Sequence, residues 1–188
     1  MRSCNKPMRP LSLALLIVSA GFPGFAQKFS PAENLAPSIP TPSAVVDRML
    51  EAGHVTPADV VYDLGSGDGR IVIAAAQKYS ARAVGVEVMP DLCRKAQERI
   101  RELGLADRAS IVEGNVFRVD FSPATVVMLY LMTDSNERLR PNLEKYLKPG
   151  TRVVSNQFPI KKWKPVSVEH VRAGMDYTIY VYEVGHTK

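Results

Sequence analysis

The chain has 188 residues, 46% of them hydrophobic and 23% charged, with a formal net charge of +5. That leaves room for one ordinary globular domain with a sizeable core. The charge does not point to a polyanionic partner: without Arg2, Lys6 and Arg9, which lie in a removable N-terminal segment, the 24 basic residues become 21 against 19 acidic, and nucleic acid is not an expected partner.

That N-terminus reads as an export signal over residues 1–26. Three basic residues precede an apolar run from Leu11 to Phe22, Pro23-Gly24 breaks it, and Gly24-Phe25-Ala26 offers small residues for cleavage before Gln27. Twelve helical residues reach only about 18 Å, short of the ~30 Å hydrocarbon core, so a cleaved signal is expected rather than a spanning anchor. Either form leaves the domain outside, exported or periplasmic, because the positive charges come first. Cys4 leaves with the signal, so no intrachain disulfide is expected, and Cys93 falls at a buried helical position. His54, His170 and His186 are scattered without metal-ligand spacing, and no metal is expected.

Residues 27–40 hold three prolines and little periodicity, and form a linker or arm before a domain over 41–188. Thr41-Pro42 is a helix start, with Thr41 as the capping hydroxyl; Val45, Val46, Met49 and Leu50 give its apolar face, and Gly53 ends it. The first strand is expected over 59–64, a helix over 70–79, a second strand over 83–88 and an amphipathic helix over 90–103. A short strand at 110–112 precedes the continuously apolar 124–132, which suits a central parallel strand. A helix over 136–147, kinked at Pro141, and a strand over 152–156 follow. The run Tyr177 to Tyr182 is aromatic or β-branched throughout and suits a closing, antiparallel strand. The order predicts an α/β fold: a doubly wound, mostly parallel Rossmann-like sheet with helices on both faces.

Between the first strand and its helix stands Asp63-Leu64-Gly65-Ser66-Gly67-Asp68-Gly69-Arg70. Backbone this bare at a strand's carboxyl end lets a ligand lie against the main chain. The G-x-G-x-G spacing differs from the dinucleotide G-x-G-x-x-G, and the Gly-Lys-Ser/Thr of a P-loop is missing. The pocket therefore reads as one for a nucleoside without phosphate, S-adenosylmethionine above all. Gly65 is expected to be left-handed, Gly67 to admit the ligand and Gly69 to let the helix pack closely on the strand. Ser66 and Asp68 would present amide N–H groups, with Asp68 also able to cap the helix. Asp63 either balances a ligand ammonium or caps the glycine turn. Glu87, 22 residues beyond Gly65, is placed to accept from both ribose hydroxyls. Asn115 either reads an adenine edge with its carbonyl or is an ordinary turn residue, with Val116 beside it in the pocket.

These motifs resemble those of class I S-adenosylmethionine-dependent methyltransferases. More narrowly, residues 40–163 resemble the lysine methyltransferases of the ATP synthase c-subunit and their bacterial relatives, through residues 60–76, Leu129-Tyr130-Leu131, residues 136–141 and residues 149–155. Ser38-Ile39 and Met132-Thr133 depart from the family's usual aromatic and proline, both on the substrate side. The resemblance implies methyl transfer to a protein lysine amine; a non-catalytic exported binding protein of the same fold is the alternative. Tyr130, Asn156 and Phe158 are expected to face the acceptor, the first two as candidate catalytic residues. Residues 137–172 carry nine basic and three acidic residues, either a solvated helix face and loop or a surface that docks an acidic protein or, weakly, an anionic membrane.

Overall fold

The computed structural model describes residues 39–187, so the expected export signal over 1–26 and nearly all of the expected arm over 27–40 lie outside the described residues. Helix α1 (Ser43–Ala52) leads to strand β1 (Val60–Leu64), followed by α2 (Arg70–Tyr79), β2 (Arg82–Glu87), α3 (Pro90–Glu102) and β3 (Ala109–Glu113). The second half runs β4 (Val126–Leu129), α4 (Thr133–Tyr146), β5 (Arg152–Asn156), β6 (Ser167–Ala173) and β7 (Met175–Glu183). The sheet order is β3-β2-β1-β4-β5-β7-β6. Strands β1 to β5 are parallel, while β7 inserts antiparallel between β5 and β6.

The expected doubly wound sheet is present, and period-two alternation builds it. Val61, Met128, Val154 and Ile179 face a core shared with α1, α2 and α3. Tyr62, Leu64, Val127, Leu129 and Val153 face the opposite core, closed by Leu139 and Leu143 of α4 with Phe121 and Trp163.

Four local expectations need correction. Thr41 does not cap α1: Pro42 holds that position without a side-chain hydrogen bond, and the Thr41 carbonyl instead accepts from Arg70 Nη1 at 2.6 Å. The apolar run 124–132 is a strand only over Val126–Leu129, because Tyr130 and Leu131 leave the sheet to line a cavity. Helix α4 starts at Thr133, three residues before the expected position, and holds Pro141 inside it. Strand β6 was not expected at all.

The amino ends of the parallel strands are pinned by a buried carboxylate. Asp59 accepts from Thr56 N–H and Oγ1–H at 2.8 Å and from Thr125 Oγ1–H at 2.6 Å, and pairs with Arg152. Burial pushes this carboxyl up, but the Thr125, Thr56 and Arg152 donors outweigh it and hold the group below the ordinary aspartate range. Arg152 also donates to the Gly53 and His54 carbonyls at 2.8 Å, tying β5 to the end of α1.

Much of the basic segment 137–172 is internally engaged. Arg152 points into that network, Arg140 pairs with Glu144 at 2.8 Å and Glu137 at 3.5 Å, and Arg138 lies over the Phe117 ring.

Candidate active site

Strand order reverses between β1 and β4, so the loops after these two strands diverge and leave a crevice at their carboxyl ends. A cavity of about 320 Å³ occupies it. Asp63, Gly65, Ser66, Gly67, Asp68, Glu87, Asn115, Val116 and Tyr130 all line it, together with Ile39 and Pro40 at the end of the arm and Thr41 beside them. Gly69 and Asn156 do not.

The glycines behave as their spacing requires. Gly65, Gly67 and Gly69 have φ of 94°, 53° and 76°, a region that costs a side chain dearly. Nothing lies within 4 Å of a Cβ built on Gly67, so that residue opens the loop to the cavity. At Gly69 a Cβ would stand 3.1 Å from Ala96 Cβ. Its bareness therefore serves packing on α3 first, with Ile111 of strand β3 next at 3.5 Å.

The loop's amides are mostly spent within the protein. Gly65 and Ser66 N–H donate to the Val86 carbonyl at 2.8 and 3.0 Å, and Gly69 N–H to the Ser66 carbonyl at 2.9 Å. Ser66 thus does not offer its N–H to a ligand; its buried hydroxyl, without a hydrogen-bond partner among the described residues, is what it brings to the cavity. The N-cap position of α2 is Gly69, which has no side chain to bond, but Asp68 serves the helix start from one residue back: its Oδ1 accepts from Arg70 N–H at 3.3 Å. The same carboxylate grips the Arg70 side chain at Nε (2.9 Å) and Nη2 (2.6 Å). Arg70 in turn holds the Thr41 carbonyl, so the glycine loop is strapped to the arm.

Glu87 is buried at the carboxyl end of β2. Its Oε2 accepts from Gly67 N–H at 2.8 Å, and Oε1 accepts from Val88 and Met89 N–H at 2.9 Å each. The carboxylate therefore organises the loop before it meets any ligand, a role the sequence did not reveal. Behind it, Cys93 donates its thiol to the Glu87 carbonyl at 3.3 Å. Burial, with Glu87 and Glu113 nearby, pushes that thiol up to about 12, which fits an inert filler.

Asp63 is only 3% exposed. Burial, then the neighbouring Glu87 and Asp68 carboxylates, raises its carboxyl to about 8. No hydrogen bond joins it to the glycine turn among the described residues, so of its two expected roles the turn cap is not the one observed. Folding takes up a proton at this group between the ordinary aspartate range and about pH 8. Its contribution to stability is thus fully present in acid and is lost as pH rises through the folded value. Asp63→Asn removes that linkage: its melting temperature is expected to fall less than the wild type's between pH 5 and pH 9, as scanning calorimetry would show.

Asn115 Oδ1 accepts from Phe117 N–H at 2.9 Å. That is the ordinary turn role, and it uses one of the two lone pairs on the side-chain oxygen of a residue that lines the cavity; Val116, buried beside it, is a wall of the cavity. Tyr130 is half-buried and stacks on Phe158, with centroids 6.2 Å apart and planes at 27°. Burial, with Tyr177 close by, holds its phenol above the ordinary tyrosine value, so the hydroxyl stays protonated. Asn156 is fully buried, away from the cavity wall, contrary to expectation.

Sequence reading missed the arm residues, Met89 and Leu92 as cavity walls, and Gly85. A Cβ on Gly85 would meet Ser66 Oγ at 2.5 Å, so this strand glycine makes room for the loop. A glycine between Val84 and Val86 in a strand interior was the available signal.

Residues 63–167 match the family described as the ANTKMT methyltransferase domain. The chain is 52% identical over 154 residues to the protein-lysine N-methyltransferase of Saccharolobus islandicus (strain REY15A), covering 81% of this chain and 96% of that protein. It is 31% identical over 148 residues to the Homo sapiens ATP synthase C-subunit lysine N-methyltransferase, covering 78% of this chain but only 61% of that enzyme. A solved RNA methyltransferase from Salinibacter ruber, in complex with S-adenosyl-L-homocysteine, superposes with a TM-score of 0.73 at 49% identity, over 78% of this chain and 94% of that one. With a glycine loop and buried acid matching the expected cofactor motif, the chain belongs to the ANTKMT methyltransferase domain family.

Proposed function

We propose that this chain transfers a methyl group from S-adenosylmethionine to a lysine amine of a protein. The observation that carries this is the cavity at the β1–β4 divide, floored by Asp63 and Glu87 and opening beside Tyr130. Its chemistry fits the donor: the buried Glu87 and an Asp63 carboxyl that a nearby cation would draw back toward ionisation suit a positive charge, the bare Gly67 admits a nucleoside, and the Ser66 hydroxyl is unpartnered among the described residues. When bound, the sulfonium supplies an activated methyl for in-line displacement. Asp63 and Glu87 would face its positive charge and ribose, Val116, Met89 and Leu92 would exclude water, and Ile39 to Thr41 would cover it. Tyr130 would receive the acceptor, which must arrive as the neutral amine; the desolvated, aromatic approach favours that form.

The acceptor class is supported by relatives named as lysine methyltransferases. The Salinibacter ruber structure carries a different substrate in its name, RNA, and the near-balanced charge of residues 27–188 argues against that class here. Export through residues 1–26 belongs to this proposal on the sequence alone. The test is calorimetry with S-adenosylhomocysteine, followed by labelled methyl transfer to poly-L-lysine and to total RNA. Binding with label in poly-L-lysine is expected. Label in RNA alone would replace the lysine reading, and no binding of the homocysteine would end the proposal.

A further inference from the structure

The turn after β5 is held in a way its sequence does not explain. Gln157 adopts φ of 64°, a left-handed conformation that a side chain with a Cβ rarely takes. Of the other non-glycine residues with positive φ among the described residues, His54 and Ser80 follow helices and Lys162 lies in a turn. Gln157 alone stands at the carboxyl edge of a sheet strand. Strain at such a place persists only where its surroundings enforce it.

Those surroundings are specific. The regular β5–β7 ladder ends at the pair Asn156 and Ile179. Gln157 then takes both main-chain groups of Thr178: its N–H donates to the Thr178 carbonyl at 2.7 Å, and its Oε1 accepts from Thr178 N–H at 2.9 Å. Its Nε2 also donates to the Asp176 carbonyl at 3.1 Å. One side chain thus extends the sheet by a step that the main chain abandons. The next residue is gripped from the other side. Phe158 N–H donates to the Asn156 carbonyl at 2.8 Å, and its own carbonyl accepts from Asn136 Nδ2 (2.9 Å) and Ser155 Oγ (2.6 Å). What this over-determined turn delivers is the Phe158 ring, laid against Tyr130 at the edge of the cavity.

We infer that Gln157 is a positioning residue for methyl transfer: by clamping the strained turn to β7, it fixes Phe158 against Tyr130 and so sets the acceptor's line of approach. The inference rests on the acceptor site proposed above. It makes the sheet's antiparallel end part of that site, although no residue of β7 lines the donor cavity.

The test uses the full chain with S-adenosylmethionine and poly-L-lysine. Gln157→Gly relieves the strained φ while removing the clamp, so folding is not the limiting step. Its kcat is expected to fall roughly tenfold, while its affinity for S-adenosylhomocysteine stays within about twofold of wild type. Phe158→Ala should lower kcat similarly. The double variant Gln157→Gly/Phe158→Ala should be no slower than Phe158→Ala alone, since one residue acts through the other. Wild-type kcat in Gln157→Gly, or factors that multiply in the double variant, would overturn the inference and leave the methyltransferase reading standing. A wild-type chain that binds S-adenosylhomocysteine but leaves poly-L-lysine unmethylated would overturn the acceptor reading and this inference together.

Discussion

Glu87→Ala should lose S-adenosylhomocysteine binding by at least about a hundredfold, measured by calorimetry. The usual reason for expecting damage at such an acid is the loss of ribose contacts. Here the carboxylate also accepts three main-chain N–H groups, those of Gly67, Val88 and Met89. Each charge-assisted bond contributes roughly 1.5–3 kcal/mol, and an orphaned buried donor costs more than a bond never made. The alanine variant would therefore lose both the ligand contact and the shape of the loop that receives the ligand. Glu87→Gln separates these effects. An amide oxygen can keep Val88 and Met89, but its NH₂ then opposes the Gly67 N–H, so binding should still fall steeply. An alanine variant that binds within tenfold of wild type would refute the organising role.

Gly85→Ala is expected to destabilise the protein by about 2–3 kcal/mol, lowering its melting temperature by roughly 5–10 °C. The added Cβ would stand 2.5 Å from Ser66 Oγ, 2.6 Å from Ile111 Cδ1 and 2.7 Å from Ser66 Cβ. The Ser66 hydroxyl and Ile111 Cδ1 can rotate away, but Ser66 Cβ is fixed to the loop backbone. Gly85 is paired to Asp63 on one side and Ile111 on the other, deep in the parallel sheet. Relief must come from the glycine loop, so ligand affinity should fall along with stability. Adding Ser66→Gly removes two of the three clashes and should recover part of the loss. A melting temperature equal to wild type in the single variant would show that the loop has more room than its contacts imply.

The sequence was most readable where burial enforces a period. Strands β1, β2 and β5 and helices α2 and α3 fall within a residue or so of expectation, because their alternating or amphipathic faces meet one of the two cores. Strand β6 lacked that signal: none of its residues is buried, and Val168 faces solvent. The apolar run to Met132 misleads for the opposite reason. Tyr130 and Leu131 are apolar because they wall a cavity, and hydrophobicity does not distinguish a cavity wall from a sheet. In the site, the glycine loop and Glu87 were legible from spacing, since only a bare turn followed by a strand-end acid makes that geometry. The hidden part was the competition for hydrogen bonds. Ser66 and Asn115 stand where expected, yet the Ser66 N–H and the Asn115 Oδ1 each bond within the protein, while Asp68 divides its carboxylate between the start of α2 and the Arg70 side chain.

The reversal of strand order beside β1 also divides labour along the polypeptide. The donor's loop and acid come from the first half of the domain, while Tyr130, Phe158 and the clamp on β7 come from the second. Drift in the later half can thus retune which nucleophile is accepted without disturbing the machinery that grips the methyl source. Such separability offers one route by which homologues sharing a single scaffold come to bear names as different as lysine and RNA methyltransferase.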